Sequence, residues 1–251
     1  MKILKSWCIA LAMYSKIPVP QFEWKEEDMR YALCFFPFVG VIIAGVFLLF
    51  RQGAESFGIG NLSKTFLTAA IPIFITGGIH IDGYMDTMDA FHSYQDKEKK
   101  LEILKDPHIG AFSVIMLFLY FFLYLAVLSE IKGERQTQII AIGFVLSRIL
   151  SAAGVVSFKP SKKTGLLKIF ADAASKRNVK IVLGIEGGIC IAWMWYLSPL
   201  TTVWIVGSLI FWVCYYRNKC YKEFGGVSGD TAGYFITMCE GIIAAVTVIV
   251  R

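Results

Sequence analysis

Charged residues are scarce in this chain: they make up 18% of its 251 residues, whereas 56% are hydrophobic and 15% aromatic. Soluble domains typically carry about 25% charged residues. Here the charges are missing from repeated apolar runs that are each about as long as a bilayer is thick. The composition therefore excludes a soluble globular domain and indicates an integral membrane protein.

Closely spaced cysteines are also lacking. The six cysteines are scattered, and no two of them form a Cys-x-x-Cys pair. We therefore expect neither a disulfide framework nor a thiolate metal site. The sequence also has no internal repeat, low-complexity segment or linker, so residues 1–251 are predicted to form one domain.

Seven apolar runs are candidates for membrane-spanning helices, because about 20 residues cross a bilayer at a rise of about 1.5 Å per residue. Backbone polar groups must be paired within lipid, which favours helices. The predicted spans are Tyr31–Phe50, Thr65–Ile81, Ile109–Ile131, Thr137–Phe158, Ile181–Leu197, Val203–Tyr216 and Ala232–Val250. The predicted fold is an all-α polytopic transmembrane helical bundle.

The N-terminal apolar stretch, Trp7–Tyr14, follows two lysines as a signal peptide would. It is broken by Ser15 and Lys16 and has no small-residue cleavage site, so we expect a short interfacial helix instead. Most of the 25 lysines and arginines fall on one side of the predicted spans. The positive-inside rule then places the N-terminus in the cytoplasm and the chain in the cell membrane. Attraction to anionic headgroups accounts for the net charge of +6, and no nucleic acid partner is needed.

The segment IHIDGYMDTMDAF, residues 79–91, carries three aspartates beside an apolar run. At about 100° per residue, Asp82, Asp86 and Asp89 share one narrow helical face. Carboxylates in lipid cost about 2.5–3.5 kcal/mol each at a helix centre on insertion scales. Either the aspartates protrude into water at the helix end, or a divalent cation such as Mg²⁺ binds them. Because all three acids lie on one stripe, metal binding is favoured.

A second acidic position lies in FGGVSGDTAGYFITMCE, residues 224–240. The backbone amides of a loop containing Gly225, Gly226, Ser228 and Gly229 could hold a phosphate. The loop ends at Asp230, which would either cap the seventh span or add a carboxylate to the acidic stripe. The predicted topology puts both acidic segments on the cytoplasmic side.

Several further residues are candidates for substrate contacts. Arg148 is the only basic residue inside a predicted span, and it would bind a substrate phosphate or a structural partner, for which Glu240 is suited. Gly83 lacks a side chain and would let a phosphate approach the backbone. Lys159 begins the longest polar connection, residues 159–180, which we interpret as a loop on headgroups or over a polyanion.

The three histidines flank the acidic segment. His80 would point about 160° away from Asp82 on a continuous helix, which favours packing over catalysis. His108 follows Asp106 and Pro107, and we expect this pair to be the N-cap and first residue of the third span. The intervening DKEKKLEILKDP is typical of an amphipathic surface helix.

Five segments together resemble a known family. YSKIPVP, FFPFVG, TGGIHIDGYMDTMDAF, KDPHIGAF and GGVSGDTAG followed by a glutamate occur in the order expected of the cobalamin synthase family, also called adenosylcobinamide-GDP ribazoletransferase. The similarity extends over essentially the whole chain. It departs after the third aspartate, where the family often has a small residue or glycine and this chain has Ala90, Phe91 and His92.

The resemblance implies a Mg²⁺-dependent phosphotransfer in which α-ribazole or its 5′-phosphate replaces GMP on adenosylcobinamide-GDP. It makes Asp82, Asp86, Asp89 and Asp230 the candidate metal ligands. Phosphoryl transfer also needs a base for the hydroxyl proton, and we expect one of the carboxylates, with Asp89 named first, to act as this base, while Asp106 or His80 would also serve. The candidate substrate-binding residues are Gly83, Asp106, His108, Arg148, Lys159, Gly226, Ser228, Gly229 and Glu240. An oligomer is compatible with the sequence but not required by it.

Three other classes fit less well. CDP-alcohol phosphotransferases would have Ala-Arg soon after Asp-Gly, where this chain has Asp86 and Thr87. Intramembrane prenyltransferases would have a second aspartate-rich motif, and the second motif here has one aspartate. A cation transporter would place acids at mid-membrane depth and contain a repeat.

Overall fold

The computed structural model describes residues 2–161 and 165–250, and within them it is helical. The helices are α1 Lys2–Tyr14, α2 Glu26–Met29, α3 Ala32–Ser56, α4 Asn61–Thr76, α5 Ile79–His92, α6 Lys97–Ile103, α7 Ala111–Ser129, α8 Gly133–Ser157, α9 Leu166–Ala173, α10 Lys176–Leu197, α11 Pro199–Phe224 and α12 Gly229–Ile249. The predicted all-α helical bundle is confirmed.

Six helices in the described ranges are long and apolar enough to cross a membrane: α3, α7, α8, α10, α11 and α12. A seventh span is present if the bent pair α4–α5 is counted as one. The chain is thus a multi-pass membrane protein. The predicted short N-terminal helix is confirmed as α1, which packs against α3.

The second predicted span, Thr65–Ile81, is wrong as a continuous helix. α4 ends at Thr76, and α5 begins at Ile79 after a bend of 96°. Gly77 and Gly78 form the break with φ angles of +67° and +83°, a left-handed conformation that glycine adopts without steric cost. The acidic stripe therefore lies on a separate helix, not on the end of a straight span.

Other predictions about the polar connections had mixed outcomes. The amphipathic helix between the second and third spans is confirmed as α6, capped by the Asp96 side chain, which accepts from the Lys99 amide. Residues 159–180 are not only a loop, because α9 lies within them and α10 begins at Lys176. Lys162 and Lys163 fall outside the described residues. The cysteines in the described residues are free thiols.

The core is formed where α8 packs against α3, α10 and α12, and α12 in turn covers α5. α3 and α8 cross at Gly40. A Cβ atom there would lie 2.5 Å from the Phe144 carbonyl oxygen. This close crossing fits membrane helices, in which small residues let two backbones approach.

We expect Gly40→Ala to destabilise the protein by about 1–3 kcal/mol, because a methyl group at this crossing would force α3 and α8 apart. Gly53→Ala is the matched control in the same helix, since a Cβ at Gly53 would meet no atom within 4 Å. It should be neutral or slightly stabilising. Thermal unfolding in detergent measures both variants, and equal midpoints for the two would contradict the close packing.

Candidate active site

The acidic helix α5 and the start of α12 cross at two glycines. A Cβ at Gly83 would lie 2.7 Å from the Asp230 carbonyl oxygen, and one at Gly233 would lie 2.9 Å from the His80 carbonyl oxygen. Neither position can hold a side chain without moving the helices apart. The backbone of α12 thus fills the space beside Gly83, and this glycine permits the close helix packing.

This crossing brings Asp82 and Asp230 to one cavity of about 320 Å³. The polar part of its wall comes from α5, α8 and the start of α12, namely His80, Asp82, Gly83, Ser151, Ser228, Gly229 and Asp230. The remaining wall comes from α1, α3 and α9, namely Tyr14, Phe36, Lys168 and Phe170. The two acidic segments thus meet, as the sequence predicted. Asp86, Asp89, Asp106, His108, Arg148, Lys159, Gly226 and Glu240 are not part of this wall.

The glycine-rich loop is held by pairing with residues 159–161. Val227 N–H donates to the Lys159 carbonyl at 2.9 Å, and Ser161 N–H donates to the Val227 carbonyl at 2.8 Å. A Cβ at Gly226 would clash with Lys159 and Pro160, so this glycine permits the pairing. Lys159 and Gly226 therefore contact each other behind the cavity and shape the loop.

Ser228, not Asp230, caps α12. Its side chain accepts from the Thr231 amide at 3.2 Å, and the Thr231 hydroxyl accepts from the Ser228 amide at 2.8 Å, which completes a capping box. Asp230 lies in the first turn, where the helix dipole stabilises a negative charge. The Ser228 hydroxyl donates to the Asp230 carboxylate at 3.2 Å.

The third aspartate of the stripe faces a different element. A side chain at Gly110 would overlap the carboxylate of Asp89, so this carboxylate lies directly against Gly110. Gly110 is the N-cap of α7, and the partial positive charge of that helix end compensates the aspartate. Asp82 and Asp89 are separated by about 10 Å along α5 at 1.5 Å per residue.

The four predicted metal ligands are consequently not gathered into one cluster. Within residues 2–161 and 165–250, no three histidine, cysteine, aspartate or glutamate side chains lie close enough together to hold a metal ion. Asp82, Asp230 and Ser228 nevertheless offer only oxygen donors beside an open cavity. Mg²⁺ typically binds through one or two carboxylates, with waters and substrate phosphates completing its shell. This donor set fits a Mg²⁺ ion shared with a phosphate ligand.

The predicted partnership of Arg148 and Glu240 is confirmed. Arg148 is fully buried, and its Nη1 donates to the Glu240 carboxylate and to the Phe144 carbonyl, the latter at 2.7 Å. The pair borders a small cavity of about 30 Å³ that His80 also lines. Arg148 therefore has the structural partner that the sequence left as one of two alternatives.

Arg148 is not alone as a buried arginine. Arg51 is 4% exposed, and the prediction that Arg148 is the only basic residue inside a span is wrong. The predicted first span ended at Phe50, whereas α3 continues to Ser56. Since arginine is a good helix former, the charge at position 51 does not end the helix.

His80 lies between the two cavities. It is buried, contacts the Phe36 ring edge-on at 5.9 Å between centroids, and its Nε2 has no hydrogen-bond partner in the described part of the chain. His80 and Asp82 lie two positions apart on the continuous helix α5 and so point in different directions, yet both residues line the 320 Å³ cavity.

The expected helix start at Asp106 and Pro107 is wrong. α7 begins at Ala111 with Gly110 as its N-cap. Asp106 instead closes a turn, in which its Oδ1 accepts from the His108 amide at 2.9 Å and lies 2.6 Å from His108 Nδ1. These hydrogen bonds lower the pKa of the Asp106 carboxyl group. Both side chains are exposed.

Comparison with known proteins identifies the family. Residues 6–248 match the family described as cobalamin-5-phosphate synthase. The chain belongs to this family. The resemblance seen in the sequence motifs is thereby confirmed, and it covers nearly the whole chain.

Several relatives with full-length similarity share one name. The adenosylcobinamide-GDP ribazoletransferase of Lachnoclostridium phytofermentans is 48% identical over 252 residues, covering 100% of this chain and 95% of that protein. Proteins of the same name from Clostridium botulinum (strain Alaska E43 / Type E3) and Treponema denticola are 32% and 30% identical, covering 95% and 94% of this chain and 94% and 95% of their own lengths. No solved structure matches the chain.

In this synthase, sequence reasoning missed the aromatic side of the cavity. Tyr14 lies 4.0 Å from Phe36 and 6.4 Å from Phe170 between ring centroids. Tyr14 and Phe36 belong to the YSKIPVP and FFPFVG motifs, which are far apart in the sequence and meet only through the packing of α1 on α3. The motifs could have indicated these residues. No comparable signal marked Phe170 or Ser151.

Proposed function

We propose that this chain is an adenosylcobinamide-GDP ribazoletransferase that uses Mg²⁺ and acts at the cytoplasmic face of the cell membrane. The full-length relationship to proteins of that name supports the reaction. The single observation that supports its location is the meeting of Asp82 and Asp230 at one cavity, beside Ser228 and His80. The excess of lysine and arginine on the same side supports the orientation.

In the proposed reaction, a ribose hydroxyl of α-ribazole or its 5′-phosphate attacks the phosphorus that carries the cobinamide. A new P–O bond forms to the ribose oxygen, and the P–O bond to GMP breaks, so GMP leaves with the electron pair. The hydroxyl proton passes to a base. Among the base candidates other than the ligand carboxylates, His80 borders the cavity, whereas Asp106 lies in an exposed turn, and we assign the proton to His80.

Asp82 and Asp230 would hold the Mg²⁺, which supplies charge neutralisation on the diphosphate when bound. The Ser228 hydroxyl orients the Asp230 carboxylate by its hydrogen bond. Lys168 on α9 lines the same cavity, and its ammonium group pairs with Asp172 one turn further along the helix. The cavity of about 320 Å³ suits a nucleoside-sized ligand, and its aromatic wall of Tyr14, Phe36 and Phe170 offers ring faces to an aromatic base.

Release of GMP by the purified protein tests this function. In detergent with adenosylcobinamide-GDP, α-ribazole and Mg²⁺, we expect stoichiometric formation of GMP and a ribazole-containing corrinoid. Removal of Mg²⁺ with EDTA should abolish the signal, and re-addition should restore it. GMP release without α-ribazole would indicate a hydrolase, and full activity in EDTA would exclude the metal.

A further inference from the structure

A second, larger cavity lies away from the proposed active site. It has a volume of about 1010 Å³, runs between α3, α8 and α10, and shares no lining residue with the cavity at Asp82. Along α3 it extends from Cys34 to Glu55, which is about 30 Å at 1.5 Å per residue. This length is close to the thickness of the hydrocarbon core of a bilayer.

One end of this groove is polar, and the rest is mostly apolar, with Glu186 on α10 as a further acidic residue in its wall. Arg51 lies at the polar end with 4% of its surface exposed, and its Nε has no acceptor in the described part of the chain. Phe38, Val41, Leu48, Ile142 and Trp193 supply apolar wall along the remaining length. A buried guanidinium with an unused donor is costly in a membrane protein unless an acceptor reaches it.

The other charges at this end define what can bind. Glu55 and Glu134 also line the groove. Glu55 forms an ion pair with Lys64 at 3.5 Å. The Glu134 carboxylate accepts a hydrogen bond from the Gln138 side chain at 2.9 Å. Because the Gln138 amide is neutral, this hydrogen bond does not neutralise the negative charge of Glu134. The polar end therefore combines the Arg51 guanidinium, whose Nε has no hydrogen-bond acceptor in the described residues, with the carboxylates of Glu55 and Glu134.

We propose that this groove binds a zwitterionic aminophospholipid. Its phosphate accepts from Arg51, its primary ammonium pairs with Glu134, and its acyl chains lie along the apolar walls of α3, α8 and α10. A phospholipid with an uncharged polar head would leave Glu134 without a cation. A free phosphate would leave the apolar length unfilled. The groove thus combines charges that complement the head with apolar walls for the acyl chains, which in one leaflet would occupy about half of its length.

Native mass spectrometry in detergent, with equimolar phosphatidylethanolamine, phosphatidylcholine and phosphatidylglycerol added, tests this site. We expect the wild-type protein to retain phosphatidylethanolamine preferentially, and Arg51→Leu to lower its retention by about 10-fold or more, equivalent to about 1.4 kcal/mol. Glu134→Gln should shift preference toward phosphatidylglycerol. Arg135→Leu is the matched control, because this exposed arginine follows Glu134 directly in the sequence but does not line the groove.

If Arg51→Leu fails to fold, Gly45→Trp tests the apolar length instead, since a Cβ at Gly45 meets no atom within 4 Å and the new ring would fill the groove. It should reduce lipid retention while Arg51 is intact. Equal retention of the three lipids by the wild type, or unchanged retention in the variants, would overturn the proposal. Inorganic phosphate that displaces the lipid completely would show an anion site without a lipid groove and would also overturn it.

Discussion

Asp82→Asn is expected to lower the rate of GMP release at least about 100-fold, because a metal ion contributes several kcal/mol of charge stabilisation to phosphoryl transfer. Asp230→Asn should have an effect of similar size, since both carboxylates line the cavity and the α5–α12 crossing holds them together. Initial rates of GMP release at saturating substrates measure the effect. Glu130→Gln, at the exposed end of α7, is the control.

The two variants also separate metal binding from a purely structural role. Loss of a ligand should raise the Mg²⁺ concentration needed for half-maximal rate, while the free energy of unfolding stays within about 0.5 kcal/mol of wild type, as for surface substitutions. Asp89→Asn should lower the rate less than Asp82→Asn, because the Asp89 carboxylate faces Gly110 at the start of α7. Equal losses at positions 82 and 89, with equal shifts in Mg²⁺ dependence, would show that the stripe acts as one metal site.

Arg148→Leu is expected to destabilise the fold by about 3–5 kcal/mol, because it leaves the Glu240 carboxylate buried without its cation. Glu240→Leu should lower the free energy of unfolding by a similar amount, because it leaves the fully buried Arg148 guanidinium without its carboxylate. The double variant should recover most of the loss, since no buried charge remains. Thermal unfolding in detergent and the fraction of monodisperse protein measure these differences.

The exposed ion pair Lys132–Glu130, at 3.7 Å, is the matched comparison, and Lys132→Ala should change stability by less than about 1 kcal/mol. A different result would indicate that Arg148 binds the substrate and not Glu240. In that case Arg148→Leu would keep the wild-type unfolding midpoint and show a raised KM for adenosylcobinamide-GDP. A double variant no more stable than either single variant would also contradict the ion-pair account.

The sequence was sufficient for features that depend on local composition. Apolar runs predicted the spanning helices because lipid leaves the backbone no other way to pair its polar groups. The need of a buried charge for a partner predicted the pairing of Arg148 with Glu240. Ordered motifs along the chain predicted the family.

Helix ends were less predictable than helix existence. Gly77 and Gly78 are tolerated inside membrane helices as well as between them, so the bend could not be distinguished from a straight span. Asp106 and Pro107 have the residue types of a helix start, yet the chain makes a separate turn there. The packing of the surrounding chain outweighed the preference of these residue types for a helix start.

The amino acid sequence by itself determined that this protein is a helical membrane protein of the cobalamin-5-phosphate synthase family, because hydrophobicity and motif order are properties of the chain alone. Only the tertiary structure decided which acids meet. Asp82 joins Asp230 because Gly83 and Gly233 let two helices touch, and Asp89 turns to the end of α7. The first contact joins segments more than a hundred residues apart and the second depends on how the chain turns before α7, so no local pattern encodes either of them.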